Sequence, residues 1–367
     1  MVKEGKLNEK LIILVNCLLL CTSLIFSQVV VTNKIDSKNK LKEKDVILEK
    51  ELELGGGLKD GGYKFEFIRS FRVDEAENIY VIDFKARKLL KFDKQGKLAW
   101  AQGKFGQGPG EFQLPSGIEL GKNDTVLVYD LGNKRIAYYS LNGELLKEYS
   151  TAKHPTLTRV DDDSKGFLYG VKYFVDEDNR KASFNRFDQN FDIINEIYRK
   201  ETDFVPNQVY FYPMVIFFRI RNDDLVLFAN SWEYTFYLAS GNGEIKKIIR
   251  NEYKPVKYTE ADKKREFEER YGGRTLPPEL KFIFPDYYPP IEHLLIDDQD
   301  NIFVRTYERT KDGAHYYDYF DAEGRYIASF PMKETIFCIR GGRFYTLEED
   351  EEGYQKIVRY RYRLKLK

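Results

Sequence analysis

"DEAENIYVIDFKARKLLKFDKQGKL", residues 74–98, reads as a polar turn, a short apolar strand, a second turn, another strand ending in Phe92-Asp93, and a turn at Gly96. "GKNDTVLVYDLGNKRIAYYSLNGEL", residues 121–145, repeats that phrase almost position for position. A third copy is divided between 162–174 and 182–193, with Asn190 in place of the turn glycine, and further copies occupy 221–245, 297–327 and the stretch from Arg340 to the end. Marking each copy at its first strand residue gives Ile79, Val126, Phe167, Leu225, Ile302 and Phe344, with spacings of 47, 41, 58, 77 and 42. The spacing of 77 contains an insertion.

Units of about 40–50 residues, each with several short strands and tight polar turns, fit one blade of a β-propeller better than a sandwich. A single four-stranded sheet cannot bury both of its faces, whereas sheets set radially pack against one another and close a core. Six copies therefore predict an all-β chain: a six-bladed β-propeller of four-stranded antiparallel blades, with a short helical insertion before blade five. Such rings are commonly closed by strands from both chain ends. "VILEKELEL" (46–54) and the alternating run from Val358 to Lys367 are the candidates.

Composition agrees. Aromatic residues make up 15% of the chain, almost all Tyr and Phe, which favour pleated half-buried surfaces. The 59 basic residues balance the 59 acidic ones, which removes the usual argument for nucleic acid as a partner.

At the N-terminus Lys3, Lys6 and Lys10 precede the apolar run "LIILVNCLLLCTSLIF", followed by Ser27-Gln28 as a cleavage point. The organisation expected is a signal peptide over 1–27, an N-terminal linker over 28–44 and the propeller over 45–367, with the insertion at about 255–290. The protein is accordingly expected to be exported, periplasmic or extracellular. The alternative is a membrane anchor, either an uncleaved N-terminal segment or lipidated Cys21. The run has only 16 residues against the roughly 20 of a spanning helix, and Leu20 is not the small residue that lipidation wants before the cysteine. Cleavage after Ser27 leaves Cys338 as the one cysteine, so the core must hold without a disulfide.

"GKFGQGPGEFQLPSGI", residues 103–118, raises the question of a phosphate cradle. A cradle needs backbone N–H groups converging at a helix N-terminus. Here Pro109 has no N–H, Glu111 would repel a phosphate, and a strand pattern follows. The glycines instead suit a chain crossing from an outer strand back towards the central axis. Together with "TVLVYDLGNKRIAYYSLNGEL", this phrase resembles the NHL-type repeat, and more closely the exported six-bladed β-propellers of bacteria that carry G-x-GPGEF-x-x-P between blades. The insertion, "YTEADKKREFEERYGG" leading to "YYPPIEHLLIDDQDNIFVR", is similar to a segment those proteins place before a late blade. The resemblance covers about residues 60–350 and implies the fold; it implies no activity.

Candidate chemistry is sparse. His154, His293 and His315 are scattered, with no H-x-x-x-H pair. The carboxylate clusters at 161–163, 297–298 and 348–352 fall in turns of the repeat and lack a calcium-loop pattern. No G-x-S-x-G elbow appears. The helix "EADKKREFEERYG" is expected to be capped by Thr259 and stopped at Gly272-Gly273.

The reading that follows is a monomeric binding or scaffold propeller that recognises a protein, peptide or glycan through loops at one face, the insertion among them. Arg72, Arg219 and Arg305, which begin or flank inner strands, and His293 on the inner strand of blade five are the candidate ligand-binding residues. No catalytic residue and no cofactor are assigned. The alternative is a lactonase-like or lyase-like enzyme with calcium in the central channel, which a cluster of Asp, Glu, Asn or His from three or more blades would favour. An arginine-lined or aromatic mouth would favour the binder.

Overall fold

The computed structural model describes residues 28–57, 63–121, 123–154, 156–176, 179–203 and 205–366. The expected signal peptide, with Cys21, lies outside them. Six antiparallel sheets follow in chain order. The inner strands are Ile68–Val73, Pro115–Gly121, Leu157–Asp162, Ile216–Ile220, His293–Ile296 and Thr335–Arg340. The repeat phrase supplies the second and third strands of each blade, such as Ile79–Asp83 with Lys88–Phe92 in blade one.

Period-2 geometry turns each second strand into a double-sided seal, because successive side chains point to opposite faces. Ile79 and Val81 pack into the seam between blades six and one, while Tyr80 and Ile82 pack into the seam between one and two. Val126 and Val128 complete that second seam, and Leu127 and Tyr129 turn to blade three. The same alternation continues around the ring, through Val226 and Leu227 in blade four and Ile302 and Phe303 in blade five. This is why these strands read as unbroken apolar runs: both faces are buried.

The ring closes as the sequence predicts. Val46–Gly55 forms the outermost strand of blade six, antiparallel to Gln355–Leu364. The basic ladder of that last strand is neutralised locally, with Glu51 within 2.8 Å of Arg361 and 3.3 Å of Arg359.

One expectation needs correction. Residues 28–44 do not form a simple linker, for Val29–Lys34 adds a fifth strand, parallel to the outer strand of blade four. Asn33 fastens it, donating to Asn251 Oδ1 at 2.9 Å and to the Gly324 carbonyl at 2.8 Å. Leu41 then enters the core between blades five and six.

Residues 103–114 carry the chain from the outer strand of blade one to the inner strand of blade two. Gly103 has φ +91°, and a Cβ there would lie 2.4 Å from the Phe112 ring, so only glycine fits. The Glu111 carboxylate accepts the Gly108 N–H at 2.8 Å, folding the crossing on itself. Asp130, at the end of the second strand, accepts the N–H groups of Gln113 and Leu114 and so pins the crossing to its blade. Asp83 does the same for Glu66 and Phe67.

The insertion before blade five holds helix α1, Glu260–Tyr271, capped by Thr259 with Asp262 in a reciprocal box. Its buried Glu266 accepts hydrogen bonds from the hydroxyls of Tyr212, Tyr258 and Tyr288, which fixes the helix to the crossing before blade four.

Candidate functional site

All inner strands run the same way along the axis, so they end at one mouth of the channel. Near that end Arg72, Glu119, Asp161 and Arg219 occupy matching positions, paired with Tyr80, Leu127, Tyr169 and Leu227. Blades five and six put Leu295 and Cys338 at the same level. Arg159, two residues before Asp161, lines the same cavity, which encloses about 550 Å³.

Charge in this space is uneven. Glu119 is gripped by both Nε and Nη2 of Arg72 at 2.6 Å, and Arg159 Nη2 lies 2.6 Å from the same carboxylate. Burial opposes the ionised form, but Arg159 and Arg72 more than offset it and hold the Glu119 carboxyl down at about 2. Arg219 has no such partner. It is 9% exposed, its Nη1 donates at 2.7 Å to the Phe218 carbonyl, and no carboxylate among the described residues lies within ion-pair distance. Burial and then the like charge of Arg159 disfavour its ionised form, yet a guanidinium does not release its proton in proteins. Nε of Arg159 is also buried and unpartnered.

Asp161 does not repair the imbalance, since burial, and after it the charge of Glu119, pushes its carboxyl up to about 7. Three cations therefore face one firmly ionised carboxylate. Above this floor the mouth is acidic: Asp74, Asp124, Asp297 and Asp298 come from the turns that follow the inner strands of blades one, two and five. Asp74 and Asp297 cap their own turns, accepting from Asn78 and Asn301 respectively.

Arg72 and Arg219 thus come together at this mouth. His293 begins its four-residue inner strand two residues before Leu295, at the level of Arg159, half-buried with its ring 6.4 Å from that of Phe217; burial first, then Arg219, Arg159 and Arg72, push its imidazole well below the ordinary value. Arg305 requires correction: it lies on the second strand of blade five, Ile302–Arg309, opposite His293 and 3.3 Å from Glu292. Ile302 begins the second strand of its blade, as Ile79 does in blade one, so Arg305 falls one strand out from the axis. The insertion also precedes an inner strand and so lies on the face where inner strands begin, opposite the acidic turns that follow their ends. A single face holding both the insertion and these arginines is not what the fold provides.

Glu119, Arg159 and Asp161 are the floor residues that the sequence reading missed. The signal was a fixed offset: Arg72, Glu119, Asp161 and Arg219 each stand seven residues before the first buried residue of their second strand, Ile79, Val126, Leu168 and Val226. The other histidines have structural partners: His154 Nε2 contacts the Phe191 carbonyl at 2.7 Å and His315 Nδ1 the Thr306 carbonyl at 2.9 Å. Among the described residues no group of three or more His, Cys, Asp or Glu is arranged to hold a metal ion. No helix among them is long and apolar enough to cross a membrane.

The profile of the DUF5128 family, described as a 6-bladed beta-propeller, matches residues 68–272. No curated protein matches the sequence. Among solved structures, a Bacteroides fragilis protein described as exported is similar over 91% of this chain and 99% of its own, with 15% identity and a TM-score of 0.60. A DUF4221 member from Bacteroides vulgatus is similar over 88% of this chain and 100% of its own, with 12% identity and a TM-score of 0.53. At such identities the likeness speaks to fold alone.

Proposed function

The chain belongs to the DUF5128 family of six-bladed β-propellers, and from that premise we propose that it is an exported binding propeller, recognising a protein, peptide or glycan by an anionic group taken into the arginine-lined mouth. The observation that carries this reading is Arg219, a buried cation with no ion-pair partner, facing a cavity that Arg72 and Arg159 also line. Burying an unpaired charge is costly, and a fold that keeps one in a solvent-connected cavity gains from an incoming anion. The pattern fits the binder rather than the calcium enzyme, because the carboxylates at the mouth are spent on turns and on arginine pairs instead of converging on one point.

The test is thermal melting of the purified mature protein with sulfate and, separately, with calcium at matched ionic strength. Stabilisation by sulfate and none by calcium supports the binder; stabilisation by calcium with stoichiometric bound metal replaces it with the enzyme reading.

A further inference from the structure

The floor and the rim of this mouth carry opposite charge, and that polarity selects among anionic ligands. Building on the binding function proposed above, we infer that the ligand is a peptide that buries its C-terminal carboxylate between Arg159 and Arg219 and leaves a lysine or arginine side chain at the acidic rim. The floor supplies what a carboxylate needs: the buried, unpartnered Nε of Arg159 and the guanidinium of Arg219, with Arg72 beside them holding Glu119. Guanidinium groups match the planar carboxylate with paired N–H donors.

The rim excludes the rival anions. Asp74, Asp297 and Asp298 take hydrogen bonds from neutral donors, Asn78, Asn301 and the Gly341 N–H, and none has an ion-pair partner among the described residues, while Arg340 at the same mouth is paired with Glu75. A polyuronate, anionic along its whole length, meets repulsion there; a peptide with a basic residue meets attraction. Spacing agrees: Arg72 and Asp74 are two residues apart, roughly 7 Å at the rise of a strand. That is about the reach from a terminal carboxylate to the side-chain cation of the preceding residue.

The experiment is equilibrium dialysis of the full mature protein against a pool of N-acetylated hexapeptides with lysine fixed second from the end and the other positions randomised, read by mass spectrometry. The free-acid pool should be retained at least ten-fold more than the same pool C-amidated, and more than a pool with norleucine in place of lysine; Arg219→Gln should abolish the preference for the free acid. Equal retention of acid and amide, or retention of neither, overturns the inference. Trigalacturonate is the control that separates the two levels: if it binds and the peptides do not, the anion-binding mouth stands and the peptide ligand falls, and if neither binds, both fall.

Discussion

Leu48, near the start of the described chain, lies in register opposite Tyr362, near its end. The strand that carries Leu48 also carries Leu54, 3% exposed and part of the core between blades six and one. The N-terminal strand is therefore as much a part of the ring as any internal one. Leu54→Ala should cost about 2–5 kcal/mol, the range for truncating a buried leucine, and should match Leu90→Ala in the same seam. Urea denaturation measures both. A loss for Leu54→Ala within about 0.5 kcal/mol, the range of surface substitutions, would make the strand an appendage instead of a closure.

Glu119 and Arg219 respond to substitution in opposite ways. Glu119→Gln leaves the half-buried Arg72 and Arg159 beside an uncharged group, and should cost about 3 kcal/mol, the low end for breaking a buried pair. Arg219→Gln removes a charge that has no counterion, so stability should hold or rise while anion binding is lost. Because the Glu119 carboxyl is held near 2, below its ordinary 4.5, its contribution is complete above about pH 4.5 and disappears as pH falls towards 2. Chemical denaturation of the two variants at pH 7 and pH 3 is the check. Equal destabilisation by both at pH 7 would assign Arg219 a structural partner.

Asp161 makes the floor sensitive to pH near neutrality. It faces Glu119, Arg159, Asp162 and Arg219, and with its carboxyl pushed up to about 7 from an ordinary 3.8, the folded chain holds the proton more tightly than the unfolded one. Stability from this group therefore falls as pH rises from about 4 to 7. Affinity for an anion should fall over the upper part of that window as the carboxylate ionises beside the site. Asp161→Asn should flatten both slopes between pH 5 and pH 8, seen in melting temperature and in sulfate affinity. An unchanged slope in the variant would place the titration elsewhere.

The architecture was legible because its cause is local and repeated. Ile79, Val126 and Ile302 recur in the same phrase, and Gly103 and Glu111 announce a crossing by their own chemistry. The site was legible only in part. Arg72 and Arg219 stand out as charges inside apolar strands, but whether a charge faces the channel depends on which strand lies innermost, and that is set by pairing. Arg305 looked equivalent and is not, because it follows Ile302 on the second strand of its blade, whereas Arg72 and Arg219 precede theirs on inner strands. Asp161 was hidden among Asp162 and Asp163: Asp163 does cap its turn, accepting from Lys165 and Phe167, while Asp161 turns to the axis. The strand Val29–Lys34 had no repeat to reveal it, since it docks on blade four from far away in sequence.

The most direct test of the account is isothermal titration of sulfate into the wild-type protein and into Arg219→Gln at low ionic strength and pH 6. One saturable site in the wild type, lost in the variant while its fold and melting temperature are preserved, is the result predicted by a buried cation waiting for a counterion. The same heat in both proteins, or no saturable heat in the wild type, would contradict it.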